Sequence, residues 1–269
     1  LNRKKAMKQI SIQRSKVRSV KTWVATAAIL LSALGAGSAF AEADNVVLVH
    51  GMNMDGSGWR PVYDILTGRG YNVSIVQQPL NGFENDVTAT QRILDQQEGP
   101  VVLVGHSYGG VVITTAGNDP KVESLVYVAG FQPDSGETTG LLNEQFAPLL
   151  DPAAVAFSAD GYVTISEAGF AQDIAPDLTP ADAQFLFASQ VPTTTEVFMA
   201  ATAEPAWRHK PSFAVVATED RVINPQLQRW MYERSGSHIN EVSAGHMLYM
   251  SQPEVVADVI IRAATLAVE

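Results

Sequence analysis

Residues 101–110, which read Val-Val-Leu-Val-Gly-His-Ser-Tyr-Gly-Gly, decide the fold. The apolar run at their start predicts a buried strand, and residues 110–116 behind them predict a helix. Between the two, Gly105, Ser107 and Gly109 match the pattern G-x-S-x-G, in which a sharp strand-to-helix turn exposes a serine hydroxyl. The amides at the start of the following helix would lie where a negatively charged oxygen can form. We therefore predict that Ser107 is a nucleophile.

Strand and helix patterns alternate on both sides of this turn. Further strands are predicted at residues 44–49, 71–76, 122–129, 212–218 and 238–243. Further helices are predicted at residues 57–67, 83–97, 225–233 and 253–268. This alternation predicts one α/β domain over residues 42–269, with a mostly parallel, doubly wound sheet.

The alternation stops at about residues 131–210, and this interruption predicts a helical cap inserted over the carboxyl edge of the sheet. Short helical patches are predicted there at residues 141–150, 180–189 and 194–203. Large apolar side chains of the cap are candidates to line an apolar substrate pocket. They are Phe185, Phe187, Phe198, Met199 and Trp207. The alternative is that they only pack the cap against the body, because large apolar side chains are mostly core.

Residues 1–41 have the pattern of a secretory signal peptide. They hold eight basic and no acidic side chains, an apolar run at residues 23–34 and the cleavage pattern Ala39-Phe40-Ala41. An uncleaved membrane anchor is the alternative, but the apolar run falls short of the ~20 residues that span a bilayer. We therefore expect cleavage after Ala41 and a secreted or periplasmic protein, without stable membrane association once the signal is removed.

Composition narrows the partners and cofactors. Residues 42–269 hold 10 basic and 28 acidic side chains, a net charge of −18, which disfavours binding to nucleic acid and to anionic membranes. The chain has no cysteine, which excludes disulfides, thiolate metal sites, a cysteine nucleophile and a lipoprotein anchor. The sequence contains no metal-ligand spacing, dinucleotide-binding pattern or phosphate-binding loop, so no cofactor is implied. Nothing in the sequence predicts an oligomeric state.

A nucleophilic serine needs a base, and the base needs an orienting carboxylate. In an arrangement of this kind the chain order is Ser, then Asp or Glu, then His. Asp220 and His246 each follow a predicted strand, so both would lie at the sheet edge where active sites gather. We predict a catalytic triad of Ser107, His246 and Asp220, with Met247 beside the base as a further pocket residue.

Other acids and histidines compete for these roles. Glu219 directly precedes Asp220 and would face the other way on an extended turn, and Asp134 is a weaker fallback acid. His209 lies between two basic residues in a predicted solvated turn. His238 opens a strand rather than following one, which puts it at the opposite edge of the sheet. Position along the chain therefore favours His246 and Asp220.

Two backbone amides are candidates for an oxyanion hole. One belongs to Tyr108, directly after the nucleophile, and the other to Met52, in the polar loop after the first predicted strand. The alternative for that loop is an ordinary strand-to-helix turn. His50 is expected to hydrogen-bond the loop backbone, and His106 to pack under the serine turn.

Together these residues resemble the α/β-hydrolase superfamily over essentially all of residues 42–269. Within it, the chain resembles the small esterases related to plant methylesterases and hydroxynitrile lyases. That likeness lies in residues 50–51, 105–110, 218–223 and 245–253. In that group the acid is the aspartate of a D-x-[IV]-I-like loop, here Asp220. The lyases carry a lysine directly after the catalytic histidine, whereas this chain has Met247, which resembles the esterases.

The resemblance implies a serine hydrolase that cleaves carboxylic esters of small or medium apolar substrates through an acyl-enzyme. One alternative is a hydrolase scaffold that binds a small molecule without turnover. Another is a lactonase or a cofactor-free haloperoxidase, which would use the same triad. Because one fold hosts many reactions, the natural ester is not predicted.

Overall fold

The computed structural model describes residues 43–265, so the predicted signal peptide lies outside the described residues. Its strands are β1 (Asn45–Val49), β2 (Asn72–Ile75), β3 (Val101–His106), β4 (Val122–Val128), β5 (Val155–Phe157), β6 (Tyr162–Ile165), β7 (Thr193–Thr194), β8 (Ser212–Ala217) and β9 (His238–Val242). Its α-helices are α1 (Arg60–Gly68), α2 (Phe83–Asp95), α3 (Gly109–Ala116), α4 (Thr139–Gln145), α5 (Glu167–Gly169), α6 (Pro180–Ala188), α7 (Pro225–Ser235), α8 (Leu248–Ser251) and α9 (Pro253–Thr265). In this part of the chain, no helix is both long enough and apolar enough to cross a membrane.

Six strands form one parallel sheet in the order β2-β1-β3-β4-β8-β9. The central strands are buried almost throughout, because helices cover both faces of the sheet. One face packs against α1 and α9 and the other against α2, α3 and α7, which gives two apolar layers. The α/β architecture with a doubly wound parallel sheet is therefore as predicted.

Local signals explain where α7 begins and ends. The Asn224 side chain accepts a hydrogen bond from the amide of Gln226, and Pro225 occupies the first helical turn, where it needs no donor. Gly236 ends the helix in the left-handed region, with φ of +69°. This helix matters for the site, because it follows the loop that carries Asp220.

Residues 131–210, the segment predicted as the cap, lie between β4 and β8. Helix α6 falls within one predicted helical patch, α4 overlaps the start of another, and a single 3-10 turn, Thr195–Met199, falls within the third. The cap also contains a three-stranded antiparallel sheet, β5-β6-β7, which the sequence analysis did not predict. Its strands are two to four residues long, too short for an alternating pattern to show in the sequence.

Candidate active site

Ser107 occupies the turn between β3 and α3 in a strained backbone conformation. Its φ is +53°, in the left-handed region that non-glycine residues rarely adopt. The turn is fixed through the Ser107 carbonyl, which accepts hydrogen bonds from the amides of Gly110 at 3.0 Å and Phe131 at 3.1 Å. Strain of this kind persists only where the surrounding structure holds it, and it concentrates at functional sites.

The two glycines of the G-x-S-x-G pattern make room for this turn. A Cβ on Gly105 would lie 2.5 Å from the carbonyl oxygen of Gly109. A Cβ on Gly109 would lie 2.7 Å from the carbonyl oxygens of both Val49 and His50, at the end of β1. Both contacts are with backbone, which cannot move aside as a flexible side chain could. The glycines therefore allow the serine turn to pack directly against the loop after β1.

His246 and Asp220 form a buried pair. His246 Nδ1 lies 2.8 Å from Asp220 Oδ2, and the two residues are 3% and 0% exposed. Because a carboxylate oxygen accepts, Nδ1 is the donor of this hydrogen bond, and no group of the described residues hydrogen-bonds Nε2. Asp220 Oδ1 accepts hydrogen bonds from the amides of Val222 and Ile223, at 2.8 and 3.0 Å. The aspartate is thus held in one orientation, with one oxygen turned toward the imidazole.

Gln228 is a site residue that the sequence analysis missed. It lies fully buried on α7, and its Nε2 donates to Asp220 Oδ2 at 2.8 Å and to the carbonyl of Ile223 at 2.8 Å. Its Oε1 accepts from the amide of Ala217 at 3.1 Å. The signal was present, since Gln228 stands on the buried stripe of the helix with Leu227, Met231 and Tyr232. A glutamine on such a stripe needs polar partners, here the loop that carries Asp220.

His106 supports the backbone of His246. Its Nε2 lies 2.9 Å from the carbonyl oxygen of His246, and the two ring centroids are 4.6 Å apart. Burial lowers the pKa of His106 well below its usual range, so the ring is neutral near pH 7. A carbonyl only accepts, so Nε2 carries the proton. His106 therefore fixes the loop that carries His246, and it also lines the same cavity as Ser107.

His50 serves the loop after β1 rather than the reacting groups. Its Nδ1 donates to the Gly51 carbonyl at 2.9 Å, and its Nε2 accepts from the Gln78 amide at 3.0 Å. Burial lowers the pKa of His50. These are the backbone contacts expected for it from the sequence, and they hold the loop next to Met52.

The Met52 and Tyr108 amides are both free of internal partners. In the described part of the chain, neither N–H donates to a backbone or side-chain group of the protein. Both residues line the same cavity as Ser107 and His246. The Tyr108 hydroxyl points elsewhere and donates to Asp86 Oδ2 at 2.8 Å, which anchors the residue. Two unsatisfied amides beside a serine are what an oxyanion hole requires.

The competing acids and histidines have other partners or face solvent. Glu219 is exposed and accepts a hydrogen bond from the Ser243 hydroxyl. Asp134 forms an ion pair with Arg208 at 2.7 Å, which lowers the pKa of its carboxyl. His209 and His238 are both exposed. Of these groups, the structure brings only Asp220 to His246.

Ser107 and His246 line a cavity of about 350 Å³ between the sheet edge and the cap. Most of its surface is apolar. The body supplies Met52, Met54, Tyr108, Phe131 and Val222, and the cap supplies Pro148, Leu150, Pro152, Val155, Phe157, Val163, Ile165, Phe170, Ile174, Val197 and Phe198. Besides Ser107 and His246, the polar lining residues are Asn53, His106, Thr139 and Asn143.

The prediction of pocket residues needs correction. Phe198 lines the cavity, but Phe185 and Met199 are 61% and 73% exposed on the cap surface. Trp207 lies outside the lining, where its Nε1 donates to the carbonyl of Pro133 at 2.8 Å. Met247 is fully buried in the core, with no place in the lining. On α6, Ala183 and Leu186 take the buried face, and Phe185 consequently turns outward.

Phe187 also packs elsewhere, since it contacts Phe170 edge-on with ring centroids 6.0 Å apart. In the part of the chain that the structure describes, no group of His, Asp and Glu side chains has an arrangement that could hold a metal ion.

Comparison with known proteins gives consistent matches. The sequence profile described as the alpha/beta hydrolase family matches residues 46–259. Methylesterase 8 of Arabidopsis thaliana is 24% identical over 235 residues, which cover 79% of this chain and 86% of that protein. A pyrethroid hydrolase from Sphingobium faniae superposes with a TM-score of 0.71 at 20% identity, covering 82% of this chain and 96% of the other. Methylketone synthase I of tomato gives 0.73 at 16% identity, covering 84% and 99%. These matches confirm the predicted fold class.

Proposed function

Since the chain belongs to the alpha/beta hydrolase family and is of the esterase type, we propose that it is a serine carboxylesterase acting through Ser107, His246 and Asp220. The observation that carries the proposal is the buried hydrogen bond from His246 Nδ1 to Asp220 Oδ2, at the wall of the cavity that Ser107 lines. A strained serine, an imidazole with a free Nε2 and a carboxylate that orients it are the parts of a hydrolytic triad.

Acylation follows from these groups. Ser107 Oγ attacks the ester carbonyl carbon while His246 Nε2 accepts the hydroxyl proton, and Asp220 stabilises the imidazolium that forms. The carbonyl oxygen becomes negatively charged and accepts hydrogen bonds from the amides of Met52 and Tyr108. The tetrahedral intermediate then breaks the bond to the alkoxide, which leaves as the alcohol after taking the proton from His246.

Deacylation repeats the sequence with water. His246 Nε2 takes a proton from a water molecule, whose oxygen attacks the acyl carbon of the Ser107 ester. The same two amides hold the second oxyanion. The bond to Ser107 Oγ breaks, the proton on His246 returns to that oxygen, and the carboxylic acid leaves. The net reaction consumes one ester and one water and yields one acid and one alcohol.

The cavity supports substrates of small or medium size and apolar character. Its volume of about 350 Å³ falls at the lower end of the usual range for small-molecule sites. The lining is apolar on the body side and the cap side alike, so burial of an apolar acyl or alcohol group would supply most of the binding free energy.

The first test is the variant Ser107→Ala. We expect it to fold like the wild type and to lose turnover of p-nitrophenyl butyrate by a factor of about 10³ or more, because no other group can form the acyl-enzyme. Ser189→Ala is the matched control, since Ser189 ends α6 outside the cavity. Circular dichroism checks the fold. Turnover by Ser107→Ala close to that of the wild type contradicts the proposal.

A second measurement separates an esterase from a binding protein built on the same scaffold. A fluorophosphonate forms a covalent bond only with an activated serine, so the wild type is expected to be labelled rapidly at Ser107. Peptide mass spectrometry identifies the labelled residue. A protein that binds small molecules without turnover would stay unlabelled under the same conditions.

A further inference from the structure

One residue of the cavity lining, Asn53, carries a buried polar atom that the proposed hydrolysis does not use, its Oδ1. Asn53 is 2% exposed, follows Met52 in the loop after β1, and lines the cavity. No donor in the described part of the chain reaches its Oδ1. A buried carboxamide oxygen without a partner is unfavourable, because water solvates it in the unfolded chain. Its presence in the wall of a largely apolar cavity therefore calls for a ligand that donates to it.

The orientation of the Asn53 amide is defined by its other atoms. Nδ2 donates to the carbonyl of Val163 in β6 at 2.8 Å and to that of Val191 at 3.3 Å. Only the NH₂ group can donate to carbonyl oxygens, so exchanging the two amide atoms would lose both hydrogen bonds. The backbone amide of Asn53 donates to Thr193 Oγ1 at 2.9 Å. Hydrogen bonds from Nδ2 to the cap therefore fix the orientation of the side chain, and its acceptor, Oδ1, has no partner in the described part of the chain.

Asn143 provides a useful contrast. It also lines the cavity and has a buried Oδ1 without a partner. Among the described residues, however, no hydrogen bond fixes its amide group, so that group can turn to suit its surroundings. A rigid acceptor discriminates between substrates better than a mobile one, because it does not adjust to a substrate that lacks the donor.

We propose that Asn53 Oδ1 is a specificity-determining acceptor that binds a hydroxyl or N–H donor of the substrate, so that the preferred substrates are apolar esters with such a donor close to the ester group. The inference rests on the proposed esterase function. The donor is placed near the reacting carbonyl because Asn53 directly follows Met52, whose amide is the proposed oxyanion donor. Esters without the donor leave Asn53 Oδ1 unpaired in the closed complex and are therefore selected against.

The test compares esters that differ by one hydroxyl group. Methyl mandelate is paired with methyl phenylacetate, and methyl 3-hydroxy-3-phenylpropanoate with methyl 3-phenylpropanoate, each hydroxy ester as both enantiomers. The readout is the ratio of kcat/KM for the hydroxylated ester to that for its partner. Differences in intrinsic reactivity cancel when this ratio is compared between variants. In Asn53→Gly, whose backbone tolerates the φ of +56°, we expect the ratio to fall about tenfold or more for at least one pair.

Asn143→Ala is the matched control, because it removes an amide from the same cavity; its ratio is expected to stay within about twofold of the wild type. A ratio unchanged in Asn53→Gly for both pairs overturns the proposal, as does an equal fall in Asn143→Ala. If Asn53→Gly does not fold by circular dichroism, Asn53→Ser is measured in its place. The proposal is also overturned if the wild type hydrolyses p-nitrophenyl butyrate through Ser107 but hydrolyses none of these four methyl esters. Loss of that Ser107-dependent turnover would instead contradict the esterase function itself.

Discussion

At the scale of single residues, Asp220 has the most completely specified surroundings in the site. Its two oxygens together accept four hydrogen bonds, from two backbone amides, Gln228 and His246. These partners satisfy a buried carboxylate without a neighbouring cation. Because these bonds fix the carboxylate, its hydrogen bond with His246 Nδ1 also fixes the orientation of the imidazole. The expected consequence is that Asp220 contributes to the rate more than to the binding of substrate.

The variant Asp220→Asn tests this role. We expect kcat to fall by roughly 10³–10⁴ with a small change in KM, because an amide in this position no longer selects the reactive tautomer of His246. Steady-state kinetics with p-nitrophenyl butyrate measure both constants. Glu219→Gln is the matched control, since Glu219 is exposed and accepts from Ser243. If kcat fell strongly in Glu219→Gln but hardly in Asp220→Asn, Glu219 and not Asp220 would be the acid that orients His246.

Asp86 is a second buried carboxyl group, and it lies behind the proposed oxyanion hole. Its Oδ2 accepts from the Tyr108 hydroxyl and its Oδ1 from the amide of Leu80, both at 2.8 Å. Burial raises the pKa of Asp86 above its ordinary value, because removal from water disfavours the charged form more than these two hydrogen bonds favour it.

This raised pKa predicts a pH-dependent stability. A group whose pKa is higher in the folded than in the unfolded state stabilises the fold below its ordinary pKa, and that contribution is lost as the pH rises through the folded value. The wild type is therefore expected to lose stability relative to Asp86→Asn as the pH rises through the acidic range. Urea unfolding of both proteins between about pH 4 and 8 measures the difference. A difference that is constant with pH would contradict the raised pKa.

At the scale of elements, the site depends on the close approach of the β3–α3 turn to the loop after β1. Gly109 is the contact point, because the carbonyl oxygens of Val49 and His50 occupy the space that a side chain would need. The same approach brings the Met52 and Tyr108 amides to one cavity. Separating the two elements should therefore harm stability and turnover together.

The variant Gly109→Ala tests that contact. We expect it to lower the free energy of unfolding by about 1–3 kcal/mol, since the added methyl group meets backbone on the neighbouring element. Gly68→Ala is the matched control, because Gly68 lies in α1 with no atom within 4 Å of an added Cβ. That change is expected to be neutral or to stabilise by up to about 1 kcal/mol. Urea unfolding measures both, and equal effects of the two variants would contradict the close approach.

At the scale of the whole molecule, the cap is fastened to the loops that carry the proposed triad. Arg221, next to Asp220, forms an ion pair with the buried Asp173 of the cap at 2.6 Å. Asp177 of the cap accepts from the amide of Gly245, next to His246, at 3.1 Å. The cap therefore contacts both of these loops directly, and changes in the cap can alter the position of the reacting groups.

The predicted signal peptide gives a prediction for the full chain. When residues 1–269 are produced in a bacterium, we expect export and cleavage after Ala41, so that the mature protein begins at Glu42. The intact mass and N-terminal sequence of the exported protein check this. A membrane-bound product that retains residues 1–41 would favour the anchor instead.

Much of the fold and part of the site could be predicted because their signals are local. The strands β1, β3, β4 and β8 of the large sheet are mostly apolar and almost fully buried, and Ser107, Asp220 and His246 each come shortly after a strand of that sheet. The cap lining could not be predicted in the same way. Its residues come from short strands and turns, from the loops between them and from α4, so no single sequence pattern marks them.

By itself, the amino-acid sequence determined the alternation of strands and helices, the serine turn and the order of the three polar residues along the chain, because these depend on neighbouring residues. The tertiary structure alone decided that Gln228 holds the aspartate, that Phe185 and Met199 face away from the cavity, and that Asn53 has an unpaired oxygen. Those facts depend on contacts between segments far apart in the chain, such as the 110 residues between Asn53 and Val163. Such contacts are set by packing, which no local pattern records.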